Sequence, residues 1–170
     1  MRGYALRKKD VREFSTLLES KFPKLLARLG ELDTGFAVEL EDAKNVSRLI
    51  VLNGVPALIE LKDGGKIPTL VLIKLSGFES THSAVVDEGA VKYVLNGADV
   101  MAPGITHVSS FEKGDVVSVW GPTRETPLCV GRALISGDEI MKIRKGKAIE
   151  NIHYAGDKVW RVCLEWLAKR

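Results

Sequence analysis

The chain has 170 residues, enough for one domain or two small ones. Apolar residues make up 45% of the composition, a share that supports a buried core and excludes a disordered chain. The sequence contains no signal peptide and no apolar run long enough to span a bilayer, so we expect a soluble, cytoplasmic protein.

The net charge of +3 is distributed unevenly along the chain. Residues 1–30 carry eight basic and three acidic residues, residues 31–90 carry five and ten, and residues 91–170 carry twelve and nine. The ends are therefore basic and the centre is acidic. Basic patches attract polyanions. A short cluster such as Arg7, Lys8 and Lys9 is more often a solvated face, and a contact to phosphates is the alternative.

The first part of the chain predicts a strand or extended arm over Met1–Lys9, followed by helix. A long helix is predicted from Asp10, because Asp10 and Glu13 form a capping-box-like pair. Pro23 interrupts the helical period, so we expect two helices or one kinked helix, ending at Gly30.

Strand patterns begin at Gly35. We predict strands over residues 35–40, 48–52, 55–61 and 67–75. Asn53-Gly54 joins two of them, since that dipeptide is the strongest two-residue hairpin signal. A short polar stretch over 76–83 indicates a boundary near Ser80, so we predict an amino-terminal α+β domain over residues 1–79 and a second domain over residues 80–170.

The second domain begins with a short helix and a glycine break. Asp87 is positioned to cap this helix, and its core face is formed by Val91, Val94 and Leu95. Lys92 and Asn96 lie four residues apart on a different face. Gly97 ends the helix, a strand follows over 99–102, and Pro103-Gly104 turns the chain.

The remaining residues alternate between short strands and turns. We predict a loop over 107–111, strands over 116–120, 128–135 and 148–154, a short helix over 140–142, and a strand or helix over 159–166. Several short strands separated by turns are typical of a small barrel.

Five segments of the sequence resemble a known family. The stretch Gly89–Ile105, Gly-Ala-x6-Gly-Ala-x-Val-x-Ala-Pro-Gly-Ile, resembles the signature of the PUA domain, an RNA-binding module. Two segments resemble one branch of that family, the malignant T-cell amplified sequence family, which includes the front end of ligatin. They are residues 127–131, and residues 150–154 followed by Asp157 and Trp160. Residues 51–54 and 68–70 resemble the amino-terminal domain of the same family.

The resemblance implies a PUA-type β pseudo-barrel after the α+β domain. It also implies that RNA runs along the helix and the following strand, beside the last barrel strand. On this sequence those positions are Lys92, Asn96, Gly97, Ala98, Val100, Met101, Pro103, Gly104 and Ile105.

Charge and shape add further candidate RNA-binding residues. Lys142, Arg144, Lys145 and Lys147 form a basic cluster, while His153 and Tyr154 offer planar rings for base stacking. Tyr154 is equally compatible with a half-buried aromatic residue of a sheet. Trp120, Trp160 and Trp166 are assigned to the core.

The sequence contains no recognisable arrangement of catalytic residues. The three histidines have no ligand spacing with one another or with Cys129 and Cys163, and the glycines do not follow a phosphate-loop pattern. His107 lies near Ser109 and Ser110 in sequence, but a nucleophile and base require spatial geometry. We expect no enzyme, no metal, no cofactor and no small-molecule substrate.

The resemblance implies a non-catalytic RNA-binding protein that acts in translation. Its partners would be the small ribosomal subunit and RNA (rRNA, tRNA or both) during initiation or recycling, with a separate chain like density-regulated protein. Two alternatives stay open. One is an accessory RNA-binding subunit of a tRNA or rRNA modification enzyme. The other is a protein-interaction scaffold that uses the acidic segment 31–90.

Overall fold

The computed structural model describes residues 2–169, and these residues pack as two compact units. One unit comprises residues 2–76 with 158–169, and the other comprises residues 77–157. Division into domains 1–79 and 80–170 stays a prediction; the structure adds that the last helix packs within the first unit. Met1 and Arg170, the outer ends of the predicted domains, lie outside the described residues, as does the start of the predicted arm.

The first unit combines four helices with an antiparallel sheet. The helices are α1 Lys8–Lys21, α2 Pro23–Leu29, α3 Leu70–Ser76 and α6 Lys158–Ala168. The strands are β1 Gly3–Ala5, β2 Gly35–Glu39, β3 Val46–Leu52, β4 Val55–Leu61 and β5 Lys66–Pro68, and they pair in that order.

Helices cover both faces of this sheet. Successive residues of a strand point to opposite faces. At Gly35 of β2, a Cβ would lie 2.8 Å from Val11 of α1. The ring of Phe36, the next residue, packs 5.1 Å from the ring of Trp166 in α6. The predicted α+β architecture of this unit is confirmed.

The predicted hairpin at Asn53-Gly54 is confirmed, with φ of 50° and 79° at the two turn residues. The Asn53 side chain does more than permit the turn. Its Oδ1 accepts the backbone N–H of Asp33 at 2.9 Å, and its Nδ2 donates to the carbonyl of Glu31 at 2.8 Å. The asparagine therefore also fixes the segment that connects α2 to β2.

The predicted start of the first helix is wrong, whereas the predicted break at Pro23 is confirmed. Helix α1 begins at Lys8, and the Asp10 carboxylate accepts from Arg7 at 3.1 Å instead of capping the helix. The chain does break into two helices at Pro23.

The strand predicted over residues 67–75 continues only to Pro68, after which the chain forms α3. The hydroxyl of Thr69 accepts the N–H of Leu72 at 3.1 Å and donates to the carbonyl of Pro56 at 2.7 Å, which starts the helix. An apolar run without alternation fits a buried helix as well as a buried strand. The hydrophobic period of residues 67–75 therefore does not distinguish a helix from a strand.

The second unit is a curled six-stranded sheet with two short helices, which confirms the expected pseudo-barrel. Its elements are β6 His82–Val86, α4 Glu88–Val94, β7 Val100–Met101, β8 Ile105–Val108, β9 Val116–Trp120, β10 Pro127–Ala133, α5 Gly137–Ile143 and β11 Lys147–Tyr154. The strand order is β7-β11-β10-β9-β6-β8, and only β6 and β9 pair in parallel among the described strands. The loop predicted over 107–111 is partly wrong, because β8 extends to Val108.

Strand β11 carries a bulge where it pairs with β10. Val130 pairs with His153 and Gly131 pairs with Asn151, so Ile152 of β11 is the extra residue. A Cβ on Gly131 would lie 1.7 Å from the carbonyl oxygen of Glu150. Because that neighbour is backbone and not a flexible side chain, β11 can occupy its position only beside a glycine.

We predict that Gly131→Ala destabilises the second unit by about 3 kcal/mol or more, the upper range for a single substitution, because two strands must separate. Gly121→Ala is the matched control, since the nearest atom to its Cβ would be Leu128 Cδ1 at 4.0 Å. Denaturant unfolding of both variants measures the difference. Equal stability of the two variants would contradict the close approach of β10 and β11.

Candidate nucleic-acid interface

Helix α4 and the turn that follows it present Lys92 and Asn96 to solvent. The Asp87 carboxylate caps the helix by accepting the N–H of Ala90 at 2.9 Å. Val94 is buried, and Val91 and Leu95 pack against the same core. Since one face of the helix is held in the core, the other face is exposed, as the sequence predicted.

Gly97 ends this helix in a conformation that favours glycine. Its φ is +91°, and a Cβ there would lie 2.9 Å from the ring of Tyr154. Both the backbone angle and the close ring therefore exclude a side chain. Tyr154 is partly buried against the core cluster, so its ring supports the Gly97 turn from one side.

Asn151 of β11 fixes the glycine turn through three hydrogen bonds. Its Nδ2 donates to the carbonyls of Val94 and Ala98, each at 3.0 Å, and its backbone N–H donates to Asp99 Oδ1 at 2.9 Å. The second oxygen of Asp99 lies 3.3 Å from Lys147 Nζ. Sequence reasoning had assigned no role to Asn151. Its available signals were its place in the family-like segment 150–154 and its position inside a strand, where asparagine is depleted.

The Pro103-Gly104 turn is fixed by the segment that precedes β11. The turn is a 3-10 helix over Ala102–Gly104, and the N–H of Ala102 donates to the carbonyl of Gly146 at 2.8 Å. Arg144 donates through Nη1 to the carbonyl of Ile105 at 2.6 Å and through Nη2 to that of Pro103 at 3.4 Å. Arg144 itself has a left-handed backbone, with φ of 54°.

The structure brings most of the predicted site residues to one region of the second unit. The exposed ones are Lys92, Asn96, Ala98, Met101, Pro103, Arg144, Lys145 and Lys147, and the partly buried ones are Gly97, Gly104 and Tyr154. Whether these residues contact RNA stays a prediction.

Three predicted contacts require correction. Val100 and Ile105 are 1% and 0% exposed, so their side chains belong to the core and only their main chain can face a ligand. His153 is 0% exposed, and its Nδ1 lies 2.9 Å from the Asp157 carboxylate. A ring buried in this way cannot stack on a base, so His153 is not a platform in this structure.

Exposed lysines and exposed apolar side chains lie around both turns. Lys142 and Lys145 form no hydrogen bond or ion pair with any residue of the described range, and Lys92 Nζ lies 5.1 Å from the Tyr93 ring centroid. The exposed apolar side chains are Tyr93, Met101, Met141 and Ile143. This surface offers cations for phosphates, apolar side chains for ribose or bases, and turns with little side-chain cover.

The groups considered for catalysis have other partners. The hydroxyl of Ser109 accepts the N–H of Ser83 at 2.9 Å, whereas His107 Nδ1 lies 3.0 Å from Thr106 Oγ1. Burial, with a smaller effect of the Asp99 charge, raises the pKa of the Cys129 thiol, which keeps it protonated. Among residues 2–169, no cluster of three His, Cys, Asp or Glu side chains could hold a metal ion.

Comparison with protein families identifies a PUA domain over residues 82–155. The chain is 38% identical over 161 residues to an uncharacterized protein of Methanocaldococcus jannaschii, covering 92% of this chain and 94% of that protein. It is 31% identical over 163 residues to Translation machinery-associated protein 20 of Saccharomyces cerevisiae, covering 91% and 88%. It is 36% identical to Malignant T-cell-amplified sequence 1-A of Xenopus laevis over 118 residues, covering 67% and 65%.

Solved structures extend the same similarity to the fold of the whole chain. A hypothetical protein of Pyrococcus horikoshii matches with a TM-score of 0.81 at 35% identity, covering 95% of this chain and 99% of that one. A PUA-domain protein of Aeropyrum pernix, solved as a tartrate complex, matches with a TM-score of 0.81 at 29% identity, covering 97% and 92%. The chain belongs to the family of PUA-domain proteins that includes Malignant T-cell-amplified sequence 1 and Translation machinery-associated protein 20.

Proposed function

We propose that this protein is a non-catalytic RNA-binding protein of the translation machinery that binds the small ribosomal subunit and tRNA during initiation or recycling. The observation that carries the proposal is the surface around Gly97 and Gly104, where two turns are flanked by exposed lysines. RNA recognition commonly uses phosphate and 2′-hydroxyl contacts, which bare main chain and lysine ammonium groups can make. The relatives' names support a role in translation.

The protein works in this proposal by placing RNA, with no bond made or broken. The cytoplasm is its expected location, and a separate chain like density-regulated protein is its expected partner. Lys92 on α4, Lys142 on α5 and Lys145 just after α5 approach the phosphates, while the two turns contact the ribose-phosphate strand. Because phosphate contacts position a ligand without reading its bases, shape and not sequence selects the RNA.

The acidic-scaffold alternative is weakened by ion pairs within the first unit. Glu39 lies 2.8 Å from Arg2, and Asp42 lies 3.9 Å from Lys158. Glu60 is hydrogen-bonded to Arg48 and lies 3.9 Å from Lys66. Several carboxylates of the acidic segment are therefore neutralised internally, which reduces the field available to a basic partner.

We predict that the logarithm of the RNA affinity falls linearly with the logarithm of the salt concentration, and that removing one contacting lysine makes this slope shallower. For Lys92→Ala, Lys142→Ala and Lys145→Ala, the slope should decrease by about 0.7 to 1 each, since each lysine releases about one counterion. Titration of a structured RNA at several salt concentrations measures the slope. Lys62→Ala, an exposed lysine of the β4–β5 turn, is the control and should leave it unchanged. Three unchanged slopes would remove these lysines from the site.

We predict that the protein co-sediments with small ribosomal subunits. The double variant Lys92→Glu with Lys145→Glu should lose this association, because two contacts become repulsive, while Lys62→Glu should retain it. Sucrose-gradient sedimentation of purified subunits with each variant tests the prediction. Absence of the wild-type protein from the subunit fraction, with co-purification of an RNA-modifying enzyme, would instead support the accessory-subunit alternative.

A further inference from the structure

Two side chains from residues 144–151 fix the backbone of residues 97–105, one near each end. Asn151 contacts the backbone before Gly97 and after it, at Val94 and Ala98. Arg144 contacts the backbone on both sides of Gly104, at Pro103 and Ile105. These two side chains, here named the clamp residues, lie seven positions apart in residues 144–151.

We propose that Arg144 and Asn151 are positioning residues that pre-organise the main chain of residues 97–105 for RNA binding. The inference rests on the proposed RNA-binding function and adds how the surface keeps its shape. A surface made of backbone has no side chain to adjust to its ligand, so its affinity depends on the backbone being ordered beforehand.

The geometry at Arg144 favours this role over a simple phosphate contact. Its planar guanidinium donates to two carbonyls at once, and Nη1 also lies 3.5 Å from Met141 Sδ. A lysine would keep the charge but would not reproduce this planar fork. The left-handed backbone at Arg144 is unusual for a side chain with a Cβ, and a residue held in such a conformation often has a specific task.

The geometry at Asn151 supports the same role. Both hydrogens of its Nδ2 are used on carbonyls that precede and follow the glycine turn. The Oδ1 atom is buried and has no hydrogen-bond partner among the described residues. A buried acceptor left unpaired is costly, so the two donated bonds must offset that cost for the side chain to hold this position.

The test uses the full chain with two variants that conserve net charge, Arg144→Lys and Asn151→Leu. We expect each to weaken binding of a structured RNA by about tenfold or more, the effect of losing hydrogen bonds to charged or buried groups. The salt slope should stay parallel to that of the wild type, because no counterion contact is removed. Lys145→Ala is the contrasting variant: it should reduce the slope and leave the clamp intact.

Amide hydrogen exchange of the free protein gives a second readout that needs no RNA. The N–H groups of Gly97 and Ala98 donate to carbonyls of α4, and that of Ile105 donates to Ala102. Asn151→Leu should accelerate exchange at Gly97 and Ala98, and Arg144→Lys at Ile105, while Lys145→Ala should accelerate none of them. Thermal unfolding of each variant separates this local loosening from general destabilisation.

The outcomes distinguish the two proposals. If the wild-type protein binds no RNA, the proposed function fails and the clamp residues affect only exchange. If the wild type binds and Arg144→Lys and Asn151→Leu bind equally well, the positioning role is overturned, whether or not exchange is faster. Weaker binding with unchanged exchange at all three amides would also overturn it.

Discussion

The structure of the second unit depends on how closely β11 approaches β10. A Cβ on Gly131 would lie 1.7 Å from the carbonyl oxygen of Glu150, so the register between these strands exists only because Gly131 has no side chain. Asn151 is paired with Gly131, and its side chain bonds the backbone on both sides of Gly97. One steric condition in the barrel therefore sets the position of the turn that we assign to RNA binding.

Ion pairs neutralise part of the charge of the first unit. In the first unit, Arg2 lies 2.8 Å from Glu39 and Arg7 lies 3.1 Å from Asp10, so much of the charge there is paired locally. Exposed ion pairs of this kind contribute little to stability, but they do reduce the potential at the surface. Around Gly97 and Gly104, by contrast, the ion pair between Lys147 and Asp99 leaves Lys142 and Lys145 available. These two lysines lie beside the turns with little side-chain cover, where a polyanion would contact both the ammonium groups and the main chain.

Local sequence patterns predicted the parts of this protein that depend on local physics. The Asn53-Gly54 hairpin, the break at Pro23 and the glycine stop at Gly97 all follow from the backbone preferences of one or two residues. The helix over Leu70–Ser76 was not predictable in this way, because a buried apolar run has no period that separates helix from strand. Its start depends on a bond from Thr69 to Pro56, thirteen residues away.

The same division between local and distant causes applies to the candidate site. The family resemblance proposed its main chain and the charge pattern proposed its further lysines, and both stay predictions. The expectation that His153 stacks on a base is wrong, because His153 is buried beside Asp157. Neither the resemblance nor the charge pattern assigned Asn151 a role, because its partners at Val94 and Ala98 lie more than fifty residues away along the chain. A site built from backbone tolerates changes at many of its own side chains. It is most sensitive at positions distant in sequence that hold the backbone in place.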